Sequence, residues 1–150
     1  MNKKILVDQS NYYKDISEGL RKGVINYFLK ESKKDFKVLE KKDTKIIFDW
    51  IEAPGSFEIP FLINKNKNQY DGFIALGCII RGQTYHFEVI SNEVTRKLMD
   101  LCIDMDKPIG FGVLTCENLK QAYERSDPKK GNKGAEAAKG CISLMYYSKF

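Results

Sequence analysis

Three short stretches of this chain hold residues that can bind an anion or move a proton. The densest is Gly77-Cys78-Ile79-Ile80-Arg81-Gly82-Gln83-Thr84-Tyr85-His86, an apolar run that enters a glycine-flanked polar loop. If a helix starts there, its first amides, around Gln83 and Thr84, have no partner inside the helix. Together with the Thr84 hydroxyl they form a cradle for phosphate. His86, the single histidine of the chain, lies at the same helix start. An imidazole there can take up and return a proton. The competing reading is a histidine that merely packs or sits exposed on a helix; the adjoining cradle favours function.

The second stretch is Ala53-Pro54-Gly55-Ser56-Phe57-Glu58-Ile59-Pro60. Gly55 permits a tight turn, so the Ser56 and Phe57 amides can face a site at a helix N-terminus, with Glu58 offering a carboxylate to hydroxyl or amine donors. A plain capped turn, with Glu58 favoured by the helix dipole, explains the same residues. The third runs from Glu117 to Gly134. There Arg125, in a last helical turn, can grip phosphate through paired N–H bonds or simply complement the dipole. The Gly131-Asn132-Lys133-Gly134 loop lacks the spacing of a P-loop, so nucleotide hydrolysis is not indicated. Tyr12, beyond the first apolar run, can stack on a flat heterocycle or pack into a core.

The elements that must position these residues alternate. Strands are predicted at Ile5–Val7, Lys45–Ile51, Gly72–Ile80 and Pro108–Leu114. Helices are predicted at Asp15–Lys30, from near Phe57, and at His86–Asp104, Glu117–Arg125 and Asn132–Ser148. In the first helix Ile16, Leu20, Val24, Tyr27 and Phe28 share a face at spacings of three and four. The order β-α-β-α-β-α-β-α-α implies an α/β fold with a four-stranded parallel sheet and helices on both faces, linked by right-handed crossovers. Ligands of such sheets sit beyond the carboxyl ends of the strands, which is where the three stretches fall. Four strands leave edges that need cover, and oligomerisation is one way to provide it.

Composition narrows the class. The 150 residues suit one domain, and 43% hydrophobic with 30% charged is an ordinary globular balance. Neither a membrane-length apolar run nor a secretory leader is present in the sequence, so a cytoplasmic location is expected. Cys78, Cys102, Cys116 and Cys141 are scattered singly, which points to reduced thiols and to no metal site. The net charge of +5 is spread as short doublets such as Lys33-Lys34 and Lys41-Lys42 among acids. That is a solvated face rather than a nucleic-acid stripe, and it suits small anionic substrates.

The segments PGSFEIP, GCIIRGQTYHFE, SNEV, FGVLT, QAYER and GNKGAEAA, in this order and spacing, resemble lumazine synthase over nearly the whole chain. The resemblance implies a three-layer α/β/α sandwich of flavodoxin-like topology, one domain spanning residues 1–150. It implies the condensation of 5-amino-6-(D-ribitylamino)uracil with 3,4-dihydroxy-2-butanone 4-phosphate in riboflavin biosynthesis, without cofactor or metal. Tyr12 matches the aromatic that stacks on the pyrimidine. Ser56, Phe57 and Glu58 match the segment that holds the ribityl chain, and Cys78, Ile79 and Ile80 the strand end that reads the pyrimidine edge. Gln83, Thr84 and Arg125 match the phosphate-binding residues and His86 the proton-transfer residue. Phe111 matches an aromatic supplied by a neighbouring subunit, and Lys133 a lysine near the ring. A homo-oligomer built from pentamers is implied, with riboflavin synthase as a candidate partner, and neither nucleic acid nor membrane. A non-catalytic flavin- or lumazine-binding homologue, or a shell-forming one, is the alternative. The chain departs from the family pattern at Asp8-Gln9-Ser10-Asn11, at Ser56 and at Asp127-Pro128-Lys129-Lys130, the last in a loop that bears on assembly.

Overall fold

A computed structural model describes residues 2–31 and 45–147. The doublets Lys33-Lys34 and Lys41-Lys42, and Ser148 at the end of the last predicted helix, lie outside the described residues. The elements are β1 (Lys3–Ser10), α1 (Lys14–Asn26, continued by a π-helical turn Tyr27–Glu31), β2 (Ile46–Ala53), a 3-10 turn (Ser56–Glu58), α2 (Ile59–Asn66), β3 (Gly72–Ile80), α3 (His86–Met105), β4 (Ile109–Cys116), α4 (Leu119–Ser126) and α5 (Lys133–Met145).

The four strands form one parallel sheet in the order β2-β1-β3-β4. β1 runs beside β2 from Lys3↔Ile46 to Ser10↔Ala53, and β3 beside β4 from Phe73↔Ile109 to Ile80↔Cys116. Because side chains alternate across a strand, each strand feeds two cores. Ile5, Val7, Ile74, Leu76 and Leu114 pack on one face with Ile16, Leu20 and Val24 of α1, Ala122 of α4, and Ala138 and Ile142 of α5. Leu6, Phe73, Ala75, Ile79 and Val113 pack on the other with Ile59 and Ile63 of α2 and Val94, Leu98 and Leu101 of α3. Each large aliphatic side chain buried in this way contributes about 1.5–3 kcal/mol relative to exposure. The result is the expected α/β/α sandwich, α1, α4 and α5 over one face and α2 and α3 over the other.

The first strand is longer than its apolar residues predict. Asp8, Gln9 and Ser10, which read as a polar loop, continue β1 and are buried. Two bonds hold this extension: Gln9 Nε2 donates to the Ser17 carbonyl at 2.5 Å, and Ser17 Oγ donates to the Ser10 carbonyl at 2.9 Å. The first turn of α1 thus clamps the end of the strand.

The layer of α5 against β4 is unusually close. A Cβ on Gly110 would lie 2.1 Å from the Ala137 carbonyl oxygen, and one on Gly134 would lie 2.1 Å from that of Leu20. No side chain fits at either position. The small residues of α5 therefore bring its backbone onto β4 and α1. Among the described residues, no helix is long and apolar enough to cross a membrane.

Candidate active site at the carboxyl end of the sheet

Most of the expected residues lie where the strands end; Phe111, near the start of β4, does not. β3 leaves the sheet at Ile80, and the Arg81 amide still donates to the Cys116 carbonyl at 2.9 Å, so the loop departs from a fixed point beside β4. Gly82 borders open space. Gln83, Thr84 and His86 are all exposed, as an anion cradle requires. Thr84 Oγ1 accepts the His86 N–H at 3.4 Å, so the same hydroxyl marks the start of α3 and stands beside the histidine backbone. His86 is the first residue of that helix, as its position in the sequence predicts.

The Ser56–Glu58 turn lies alongside. Its glycine acts differently from the expected tight-turn role: Gly55 is extended (φ −152°, ψ 176°), a conformation open to any residue. What glycine provides there is room, since a Cβ would meet Glu58 Oε2 at 3.2 Å. The Glu58 carboxylate therefore folds back over Gly55. Ser56 is buried, while the Phe57 ring is 63% exposed. Ser56 Oγ sits over the β3 backbone, 2.6 Å from where a Cβ on Gly77 would stand, and Ser10 Cβ lies 3.6 Å from the same point. The turn that faces the site therefore rests directly on β3.

Behind it lies a buried polar group that the sequence does not announce. Asp8 is fully buried, and among the described residues neither carboxylate oxygen has a hydrogen-bond partner; the Ser10 and Ser56 hydroxyls are likewise unpartnered there. Asp8, between Ala75 and Ile51 in the register, and Ser10, beside Ala53, point to the α2–α3 face. Burial alone pushes the Asp8 carboxyl up to about 7, because no nearby cation compensates the lost hydration.

The remaining residues divide between the two helical layers. Arg125 is exposed in the last turn of α4, as predicted, and Nη1 donates to the Gln121 carbonyl at 3.4 Å. Its charge acts on the Cys116 thiol at the end of β4. Lys133 opens α5 with its ammonium 2.7 Å from Glu136 Oε2. Tyr12, 73% exposed, lies outside the core and meets the edge of Tyr13, at 4.9 Å between centroids. Cys78 and Ile79 are buried and Ile80 half-buried at the end of β3. Burial, with Cys116 beside it, pushes the Cys78 thiol up to about 12, so it is an apolar filler rather than a nucleophile. Phe111 is half exposed on β4, the edge strand, on the α2–α3 side. Away from these residues a groove of about 840 Å³ opens between α2 and α3, touching the candidate site only through Phe57. Nothing local in the sequence marks Arg81 out. Its partners, Glu88 and Glu117, come together only in the folded chain.

A parallel sheet in the order β2-β1-β3-β4, covered on both faces and carrying its polar loops at the carboxyl ends, defines a flavodoxin-like α/β/α protein, a class whose ligands sit on that rim. Sequence comparison narrows this class. The model of the 6,7-dimethyl-8-ribityllumazine synthase family matches residues 2–149. The chain is similar to proteins of that name from Bartonella tribocorum (39% identical, covering 97% of this chain and 89% of the relative) and Agrobacterium fabrum (38%, covering 93% of each). A relative of the same name from Nitratidesulfovibrio vulgaris is 49% identical over 63% of this chain and 62% of its own length. The chain belongs to the 6,7-dimethyl-8-ribityllumazine synthase family.

Proposed function

We propose that this protein condenses 5-amino-6-(D-ribitylamino)uracil with 3,4-dihydroxy-2-butanone 4-phosphate to 6,7-dimethyl-8-ribityllumazine, a transferase step of riboflavin biosynthesis that releases phosphate and water. The observation that carries this reading is the pairing of Thr84 and His86 at the start of α3, one strand end away from the Ser56–Glu58 turn. An anion cradle and a proton carrier thus stand beside a turn able to hold polyhydroxyl substrate.

In this reading Tyr12 stacks on the pyrimidine, and Ser56, Phe57 and Glu58 hold the ribityl chain. The end of β3 at Cys78, Ile79 and Ile80 reads the pyrimidine edge through its backbone, and Lys133 lies near the ring. Gln83, Thr84 and Arg125 bind the phosphate. The uracil substrate's own amine attacks the ketone and loses a first water to form an imine, so the protein supplies no covalent nucleophile. His86 moves protons as phosphate departs, the enol rearranges and the second amine closes the ring with loss of water. Holding both substrates in register is worth up to about 7–11 kcal/mol. Proton transfer by one placed histidine adds roughly 10²–10⁴-fold.

The same reading makes the protein one domain throughout, cytoplasmic, and assembled from pentamers, with Phe111 completing a neighbour's site and riboflavin synthase consuming the product. The unpaired edge of β4 and the exposed Phe57, Phe61, Val89, Met99 and Ile103 support such assembly. The test is direct. Mixed with both substrates, the protein should produce lumazine absorbance and fluorescence well above the uncatalysed rate; a rate equal to the blank would leave a non-catalytic binder or shell protein.

A further inference from the structure

Arg81 makes more directed contacts than any residue assigned above, and it touches three separate elements. Its backbone amide holds the end of β4 through the Cys116 carbonyl. Its guanidinium grips Glu117 side-on, Nε to Oε2 at 2.6 Å and Nη2 to Oε1 at 3.3 Å. Nη1 donates to Glu88 in the first turn of α3, and the guanidinium carbon lies 4.5 Å from the Phe87 ring centroid. Both ends of the Gly82–Tyr85 loop are therefore tied to one side chain, across a segment that has open space around Gly82.

The tie continues from Glu117. Its amide donates to Gln121 Oε1 at 2.8 Å, while the Gln121 amide donates to Asn118 Oδ1 at 2.9 Å. Asn118 thus caps the start of α4, and the Gln121 side chain ties the residue before that cap to the first turn. The Gln121 carbonyl then accepts from Arg125 at 3.4 Å. An unbroken polar path thus runs from the loop carrying Gln83 and Thr84 to the helix carrying Arg125. Hydrogen bonding to Arg81 draws the Glu117 carboxyl below its ordinary range, as a held ion pair does.

An isolated ion pair on a surface stabilises little. A guanidinium shared by two carboxylates and an aromatic face is different in kind, because planar, forked donors specify direction as well as attraction. Breaking it also strands Glu88, whose Oε2 is buried without a partner.

We propose that Arg81 is a positioning residue for phosphate recognition: through Glu88 and Glu117 it sets the Gln83–Thr84 loop and the arginine-bearing α4 in one fixed arrangement. This rests on the functional reading above for the identity of the phosphate donor, but not for the binding of phosphate itself.

The experiment compares Arg81→Met and Arg81→Lys with the unaltered protein. Calorimetry with inorganic phosphate gives Kd, steady-state kinetics gives KM for each substrate, and thermal melting reports the fold. Arg81→Met is expected to raise the phosphate Kd and the KM for the butanone phosphate about tenfold or more, since small misplacements of binding groups are amplified in this way. The KM for the ribitylaminouracil should stay within about twofold, as the Ser56–Glu58 turn is held separately, on β3. Arg81→Lys should recover part of the loss, because lysine keeps the charge and loses the fork. An unchanged phosphate Kd in Arg81→Met, or equal losses for both substrates tracking a lowered melting temperature, overturns the proposal. Inactive unaltered protein that binds phosphate in an Arg81-dependent way overturns the enzymatic reading and leaves this one standing. Protein that neither binds phosphate nor turns over removes both.

Discussion

Ser56 rests on Gly77: its hydroxyl oxygen occupies the space that a side chain on Gly77 would need, with only 2.6 Å to the position of a Cβ there. The Ser56–Glu58 turn thereby sits directly on the β3 strand, with only the Ser56 hydroxyl between them. Gly77→Ala should push the turn outward. The expected outcome is a raised KM for the ribitylaminouracil, with a stability loss of about 1–3 kcal/mol from overpacking. Substrate titration beside urea unfolding checks both, and an unchanged KM would separate the turn from ribityl recognition.

Asp8 makes stability depend on pH in an unusual direction. Burial pushes its carboxyl up to about 7 in the folded chain, from an ordinary value of 3.8 when unfolded. Between those values the folded chain holds the extra proton, so stability falls as pH rises through the window. Its contribution is most favourable below about 4 and fully lost above about 7. The loss is on the order of 2–4 kcal/mol, given about 1.4 kcal/mol per pH step and partial relaxation by water entering the cavity. Asp8→Asn should flatten this slope, and urea midpoints for both proteins at pH 5 and pH 8 measure it. Parallel slopes would mean that the carboxylate finds a partner in solution.

His86→Ala should lower kcat by roughly 10²–10⁴-fold with little effect on either KM, the pattern of a lost proton carrier. Arg125→Ala should act mainly on the KM for the butanone phosphate, with Arg125→Lys intermediate. Lumazine formation followed by absorbance distinguishes the two patterns. Equal behaviour of both variants would mean that the roles are wrongly divided.

Phe111 is an aromatic ring half exposed on an edge strand, an arrangement that calls for cover. Phe111→Glu should shift sedimentation toward the single chain and lower activity in parallel. An assembly left intact by the substitution would place the subunit contact elsewhere.

How much of this was legible in the sequence depends on where the deciding partners lie. β3 was readable to the residue, because Gly72–Ile80 is apolar on both faces and turns bound it. β1 was read three residues short at its end, since Asp8, Gln9 and Ser10 look like a loop. They pair with Ile51, Glu52 and Ala53 of β2 and are further held by Ser17, partners distant in sequence that no local pattern reveals. The same holds at the site. Thr84 and His86 were visible because the loop, the helix start and the histidine are adjacent in sequence. Arg81 reads as a lone charge after a strand, and its partners stand 7 and 36 residues away.

The contact of Gly134 with the Leu20 carbonyl, and of Gly110 with that of Ala137, leaves α5 seated main chain to main chain on its neighbours. A helix keyed in this way can neither slide nor rotate without collision. The platform beneath the polar rim therefore behaves as a rigid last, on which the loops alone can be reshaped. Divergence in substrate preference within this architecture has one place to accumulate: the exposed segments between strand and helix.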